Sequence, residues 1–213
     1  MVKKLFMIIL AVVSVGLLAA CGESANADAA AVAEEPTVQT GLDQDGVYEP
    51  QYADKKAMLE AAENAEPLTE DAGKVGSKVL DFKLHTFDGG TIGSEDMKGR
   101  VTMLVFFFPT CPTCRLELPK LKQVTGALGR DLQVIAVEIN NDKEGAEEFI
   151  YNNSLPFTFA SADRVFVKKY FNTEGYPNTF LIDREGVIRQ HELGYQAGQE
   201  LDYLNKLQEL LEE

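Results

Sequence analysis

A run of eight residues, Val101 to Phe108, apolar but for Thr102, is followed two residues later by Cys111-Pro112-Thr113-Cys114 and then by a stretch of helix formers. A run that is apolar without alternation is the mark of a strand covered on both faces. The chain must therefore supply layers on both sides of this strand. The cysteine pair must then lie where the buried strand hands over to a helix.

The surrounding pattern supplies those layers. Leu80-Asp81-Phe82-Lys83-Leu84 alternates like a strand, Asp88-Gly89-Gly90 is a hairpin turn, and Thr91-Ile92 begins the return. Helices are predicted over 112–129, 143–152 and 162–171, with a second buried strand over 132–139. Strands at 179–182 and 187–191 flank the turn Asp183-Arg184-Glu185-Gly186. Leu201, Leu204, Leu207 and Leu211 form one stripe of a closing helix over 198–211. The order β-α-β-α-α-β-β-α after an N-terminal hairpin implies an α/β protein, a central mixed sheet with helices on both faces.

The beginning of the chain has another character. Met1-Val2-Lys3-Lys4 precede sixteen residues, Leu5 to Ala20, that are almost all apolar and end Leu18-Ala19-Ala20-Cys21. Residues 1–20 thus read as a signal peptide, shorter than the ~20 apolar residues that span a bilayer. Leu-Ala-Ala-Cys resembles the bacterial lipobox, which implies that Cys21 is lipidated and anchors the chain to a membrane outside the cytoplasm.

Residues 22–74 carry thirteen acids against Lys55, Lys56 and Lys74. Few large apolar residues occur before Ala53, so residues 21–74 are expected to be an acidic, disordered tether. A short helix over 54–65, with Asp54 as N-cap, is its one candidate element. Residues 75–213 are the expected folded domain. The net charge of −14 excludes nucleic acid as a partner, because phosphate binding needs a basic footprint.

With Cys21 lipidated, only Cys111 and Cys114 remain. A structural zinc site needs about four ligands, and His85 and His191 are too distant in sequence to complete one with this pair. A disulfide closing so short a loop adds little chain-entropy stabilisation. Redox chemistry accounts for the pair better. A cysteine at a helix N-terminus sees unpaired N–H groups and the positive end of the dipole, which favour the thiolate. The thiolate attacks disulfides, and Cys114, one turn on, is placed to resolve the mixed disulfide. Cys111 is thus the expected exposed nucleophile and Cys114 the shielded partner. Pro112 suits the first helical turn. The Cys111–Cys114 disulfide would itself be the redox group, with no added cofactor.

At these residues the domain resembles the TlpA/ResA/DsbE group of membrane-tethered thioredoxin-like proteins. The matching stretches are Asp81 to Leu84, Val101 to Phe108, Cys111 to Pro119, and Gly175-Tyr176-Pro177-Asn178-Thr179-Phe180-Leu181-Ile182-Asp183. The resemblance implies a three-layer thioredoxin-like fold and thiol–disulfide exchange. Its expected partners are oxidised exported proteins, apocytochrome c among them, and a membrane thiol electron donor. It implies that Pro177 is a cis-proline beside the disulfide and that Glu117 is an active-site acid. Glu117 lies three residues after Cys114, on the same helix face. Thr110, Pro112, Thr113 and Tyr176 are the expected substrate-binding surface. Thr110 stands where the group usually has Trp, and Val105 where thioredoxin has a buried Asp.

Two other activities of related scaffolds fit less well. A peroxidase of the peroxiredoxin type typically has Thr three residues before its nucleophile, where this chain has Phe108. A copper metallochaperone uses a wider Cys spacing and a His just before the later strand, where Asn178 stands and His191 comes too late.

Overall fold

The computed structural model describes residues 41–52 and 54–213. The expected signal peptide and Cys21 lie outside the described residues. The central strand is the one the apolar run announces: β3, Val101–Phe107, in which every residue is buried. It pairs parallel with β4, Leu132–Glu138, and antiparallel with β6, Asn178–Ile182, both also buried throughout. Including β5 (Thr158–Ser161) and β7 (Ile188–Leu193), the strand order is β5-β4-β3-β6-β7.

Because strand side chains alternate, β3 feeds two cores. Met103, Val105 and Phe107 pack with α2 (Pro112–Leu128), α3 (Lys143–Asn153) and α5 (Gln199–Glu212). Leu104 and Phe106 point the other way. They pack with Phe166 and Phe171 of α4 (Arg164–Phe171) and with Phe82, Leu84 and Ile92 around the hairpin of β1 (Lys83–His85) and β2 (Thr91–Gly93). The second core is strongly aromatic. Phe106 meets Phe171 at 4.9 Å and Phe166 stacks on Tyr170 at 4.4 Å between ring centroids. Edge and offset contacts of this kind suit the ring quadrupole.

Three expectations are corrected. Strand β5 lies in a stretch with no predicted strand. It has only four residues, sits at the sheet edge and follows Pro156, so parallel pairing with β4 defines it and periodicity does not. The helix expected from Ala162 begins at Arg164, because the Asp163 carboxylate accepts the Phe166 N–H at 2.9 Å and caps it. The first strand is shorter than Leu80 to Leu84 and lies at its C-terminal end.

The described part of the acidic segment also differs from a free tether. Val47, Tyr48, Met58 and Ala72 are buried. The expected helix is α1, Lys55–Glu63, capped by Asp54 and lying against α4. Leu42 and Tyr48 bridge each other, and the Tyr48 N–H donates to the Lys83 carbonyl at 2.7 Å. The Tyr48 hydroxyl donates to buried Asp163 at 2.7 Å, and Gln51 N–H adds a bond of 3.2 Å. Gly73, at φ 72°, lies so close to α4 that a Cβ would stand 1.9 Å from the Phe171 carbonyl oxygen. One Tyr and a few contacts thus fasten a segment whose average composition is that of a solvated chain.

Tyr48→Phe is expected to lower the unfolding free energy by about 1–3 kcal/mol, because it leaves a buried carboxylate short of a donor. Urea denaturation of the variant would check this. Unchanged stability would mean that residues 41–52 do not belong to the cooperative unit.

Candidate active site

The end of β3 delivers the chain to a tight loop. The Cys111 N–H donates to the Phe108 carbonyl at 3.0 Å, and the Arg115 guanidinium ties down the Pro109 carbonyl at 3.1 Å. Cys111 is extended at φ −74°, ψ 118° and is the N-cap of α2, with Pro112 in the first turn. Its Sγ accepts the Cys114 N–H at 3.2 Å, and the two cysteines form a disulfide. The helix N-terminus therefore directs an otherwise unpaired N–H at the first sulfur.

The difference in access is smaller than expected. Cys114 is fully buried, but Cys111 retains only 3 % exposure. The reason is the loop before β6, which holds the cis peptide Tyr176–Pro177. The Tyr176 carbonyl oxygen lies 3.8 Å from Cys111 Sγ and accepts the Thr113 hydroxyl at 3.2 Å. Thr113 Oγ1 is also 3.3 Å from Cys111 Sγ. Thr113 and Tyr176 therefore meet over the disulfide, whereas Thr110 and Pro112 are exposed at its margin.

Side chains absent from the expected set hold this loop. Asn178 donates to the Gly175 carbonyl at 2.6 Å and accepts from the Thr173 hydroxyl at 3.0 Å, while His191 Nε2 stands 2.5 Å from Asn178 Oδ1. His191 is stacked flat on Phe180, and burial lowers its pKa toward the neutral form. On the other side, the Arg164 guanidinium lies over the rings of both Phe108 and Tyr176, at 5.1 and 4.9 Å. Its Nε donates to Asn140 Oδ1 at 2.9 Å. Arg164 had no sequence signal, and the sequence did not show that His191 would meet Asn178.

Glu117 is fully buried beneath the pair, on the helical face it shares with Cys114. Its Oε1 accepts the hydroxyls of Thr179 and Tyr203, both at 2.9 Å. Oε2 is buried without a partner among the described residues. Burial dominates over these two bonds and pushes the carboxyl up from 4.5 to about 7. Val105 lies in the same core as Cys114, and Glu117 is the acid on the helix that carries the pair. A second buried acid, Glu138 at the end of β4, is likewise pushed up to about 7 by burial, but its two oxygens are occupied by the N–H groups of Asn140 and Asp142.

A cysteine pair at a helix start, covered by a cis-proline loop on a thioredoxin-like sheet, defines a thiol–disulfide oxidoreductase. Residues 75–191 match the AhpC/TSA family, and the chain belongs to it. It is 26 % identical to the thioredoxin-like protein YneN of Bacillus subtilis over 129 residues, 60 % of this chain and 76 % of that one. With the thiol-disulfide oxidoreductase ResA of Bacillus cereus it shares 22 % identity over 163 residues, 76 % of this chain and 86 % of the relative. A crystal structure of a putative thiol:disulfide interchange protein DsbE from Chlorobium tepidum superposes with a TM-score of 0.60 at 25 % identity, covering 65 % of this chain and 98 % of that one. The chain is a TlpA/ResA/DsbE-like protein of thioredoxin fold.

The raised Glu117 carboxyl makes a prediction about stability. Between pH 4.5 and about 7 the folded chain holds a proton that the unfolded chain has released, so this group's contribution falls as pH rises through that window. Glu117→Gln removes that slope, and relative to the parent it should gain roughly 3 kcal/mol between pH 4.5 and pH 8. Glu138 adds a slope of the same sign that remains in both proteins. Denaturant unfolding at the two pH values checks the difference; parallel pH profiles would oppose a carboxyl shifted this way.

Proposed function

We propose that the protein is an extracytoplasmic reductase, tethered by lipid at Cys21, that reduces disulfides of specific exported proteins such as apocytochrome c. The observation that carries this reading is the seat of Cys111: a helix N-cap whose sulfur already accepts a backbone N–H, under a cis-proline loop.

In the reduced state the Cys111 thiolate, held by the Cys114 N–H, attacks one sulfur of a substrate disulfide. The other substrate sulfur leaves as a thiolate and takes a proton. Cys114 loses its proton and attacks Cys111 Sγ, so the Cys111–Cys114 bond forms as the mixed disulfide breaks. The substrate leaves with two thiols, reduced by two electrons. A membrane dithiol donor returns those electrons to the pair.

Glu117, with a carboxyl that changes charge near pH 7, is the group to exchange the Cys114 proton. Pro177 and the backbone before it receive an extended substrate, with Thr110, Pro112, Thr113 and Tyr176 as its rim. The thin access to Cys111 favours a substrate disulfide on an exposed, extended segment. The alternatives gain nothing from the geometry: half-buried Phe108 occupies the place of the peroxidase threonine, and His191 is engaged with Asn178.

Cys114→Ala in cell envelopes should accumulate mixed disulfides through Cys111 that dithiothreitol releases. Cys111→Ala should lower disulfide reduction by more than a hundredfold and trap nothing. Trapping by Cys111→Ala instead would invert the two roles. Equilibration of the pair with glutathione tests direction: a potential below about −200 mV supports reduction, and one near −120 mV, that of a strong oxidant, rejects it.

A further inference from the structure

Away from the cysteines, three side chains converge where the N-terminal segment lies on the hairpin. Asp43 and Glu49 flank the Leu42–Tyr48 bridge, and His85 ends β1. His85 Nε2 lies 3.1 Å from Glu49 Oε1 and 3.3 Å from Asp43 Oδ2. One ligand atom from each of the three falls within 4.8 Å of the others. We propose that Asp43, Glu49 and His85 bind a divalent transition-metal ion of the zinc class, with water completing the coordination.

Two observations separate this cluster from a chance meeting of surface charges. The first concerns the imidazole. Although the His85 side chain is 43 % exposed, Nε2 itself is shielded from solvent and makes no hydrogen bond among the described residues. Both carboxylate oxygens stand within ion-pair distance of it but off the axis of its N–H, so neither makes a linear hydrogen bond with it. A metal ion bound at Nε2 has its other ligands in such off-axis positions. For bonds of about 2.0–2.1 Å to N and O, the ligand atoms of a tetrahedral site are about 3.3–3.4 Å apart. The two nitrogen–oxygen separations are 3.1 and 3.3 Å.

The second observation is that the ligands are held in place before any ion arrives. Asp43 Oδ1 accepts the N–H groups of Asp45 and Val47, both at 2.8 Å, which leaves Oδ2 directed at His85. The Glu49 N–H donates to the Gly41 carbonyl at 2.7 Å, and the Tyr48 N–H to that of Lys83 at 2.7 Å. The loop bearing both carboxylates is thereby fixed to the strand bearing the imidazole. The two carboxylates face one another beside the imidazole, and a divalent ion between them offsets their charge.

Nitrogen and oxygen donors in this ratio suit zinc and its neighbours, whereas calcium and magnesium favour all-oxygen sets. The ion would tie a segment that leads away from the domain to its first hairpin. The site is independent of the redox pair, so its failure would leave the proposed reductase reading intact.

The test uses the full chain in detergent carrying Cys111→Ser and Cys114→Ser, so that no active-site thiol competes for metal. Zinc titrated against a chromophoric chelator should bind with one equivalent and raise the thermal midpoint. Glu49→Gln and His85→Gln should each weaken binding at least tenfold and abolish that rise, while Glu209→Gln, at an exposed position of α5, should leave both unchanged. Absence of stoichiometric zinc binding, or affinity in the two ligand variants equal to that of the parent, would overturn the site. A second measurement needs no ligand variant, because the chain has only His85 and His191. Cobalt(II) should broaden the ring resonances of His85 and spare those of His191, and equal response of the two rings would reject the assignment.

Discussion

The architecture of the site depends on one pairing: β3 between a parallel neighbour and an antiparallel one. Parallel β4 lets β3 run out into a helix on one face, which sets Cys111 at a helix start. Antiparallel β6 enters from the same end, with Phe106 opposite Asn178. The residues just before β6 therefore arrive over the residues just after β3. Tyr176 and Thr113 meet for this reason, though 63 residues separate them. A slip of one residue in this register would turn Thr179 away from Glu117 and carry Phe180 to the wrong core.

The same pairing divides labour between the two faces of the sheet. The face of α2 and α5 holds the sulfurs and Glu117, with Tyr203 reaching across from α5 to the carboxylate. A single acid here is shielded from water yet only half satisfied, and its pKa responds to that imbalance. The opposite face is a cluster of Phe rings and, among the described residues, carries no acid of this kind; Asp163, at its edge, is engaged as a helix cap and as the acceptor for Tyr48.

The N-terminal segment shows how little sequence is needed to turn a solvated stretch into part of a domain. Tyr48 enters the aromatic core, α1 lies along α4, and Gly73 permits a close backbone approach. Arg164, at the start of α4, lies against the loop of the active site, so α4 links the docked segment to the Phe108–Tyr176 wall. The segment and the site therefore share a helix.

The buried strands, the cysteine pair at the helix start and the closing amphipathic helix were legible in the chain because each is a local pattern: an apolar run, a spacing of three, a stripe of leucines. The roles of Pro177 and Glu117 were legible only through resemblance, although the spacing from Cys114 already put Glu117 on the helix face of the pair. The edge strand β5, the docking of Tyr48, the clamp of Asn178 on the cis-proline loop, the Arg164 bridge and the meeting of Asp43, Glu49 and His85 were decided by the tertiary structure alone. Each joins residues whose neighbours in sequence are ordinary. Periodicity reports which face of an element avoids water, but it holds no information on which distant side chain will meet that face, because that is set by strand register and by packing across the whole sheet.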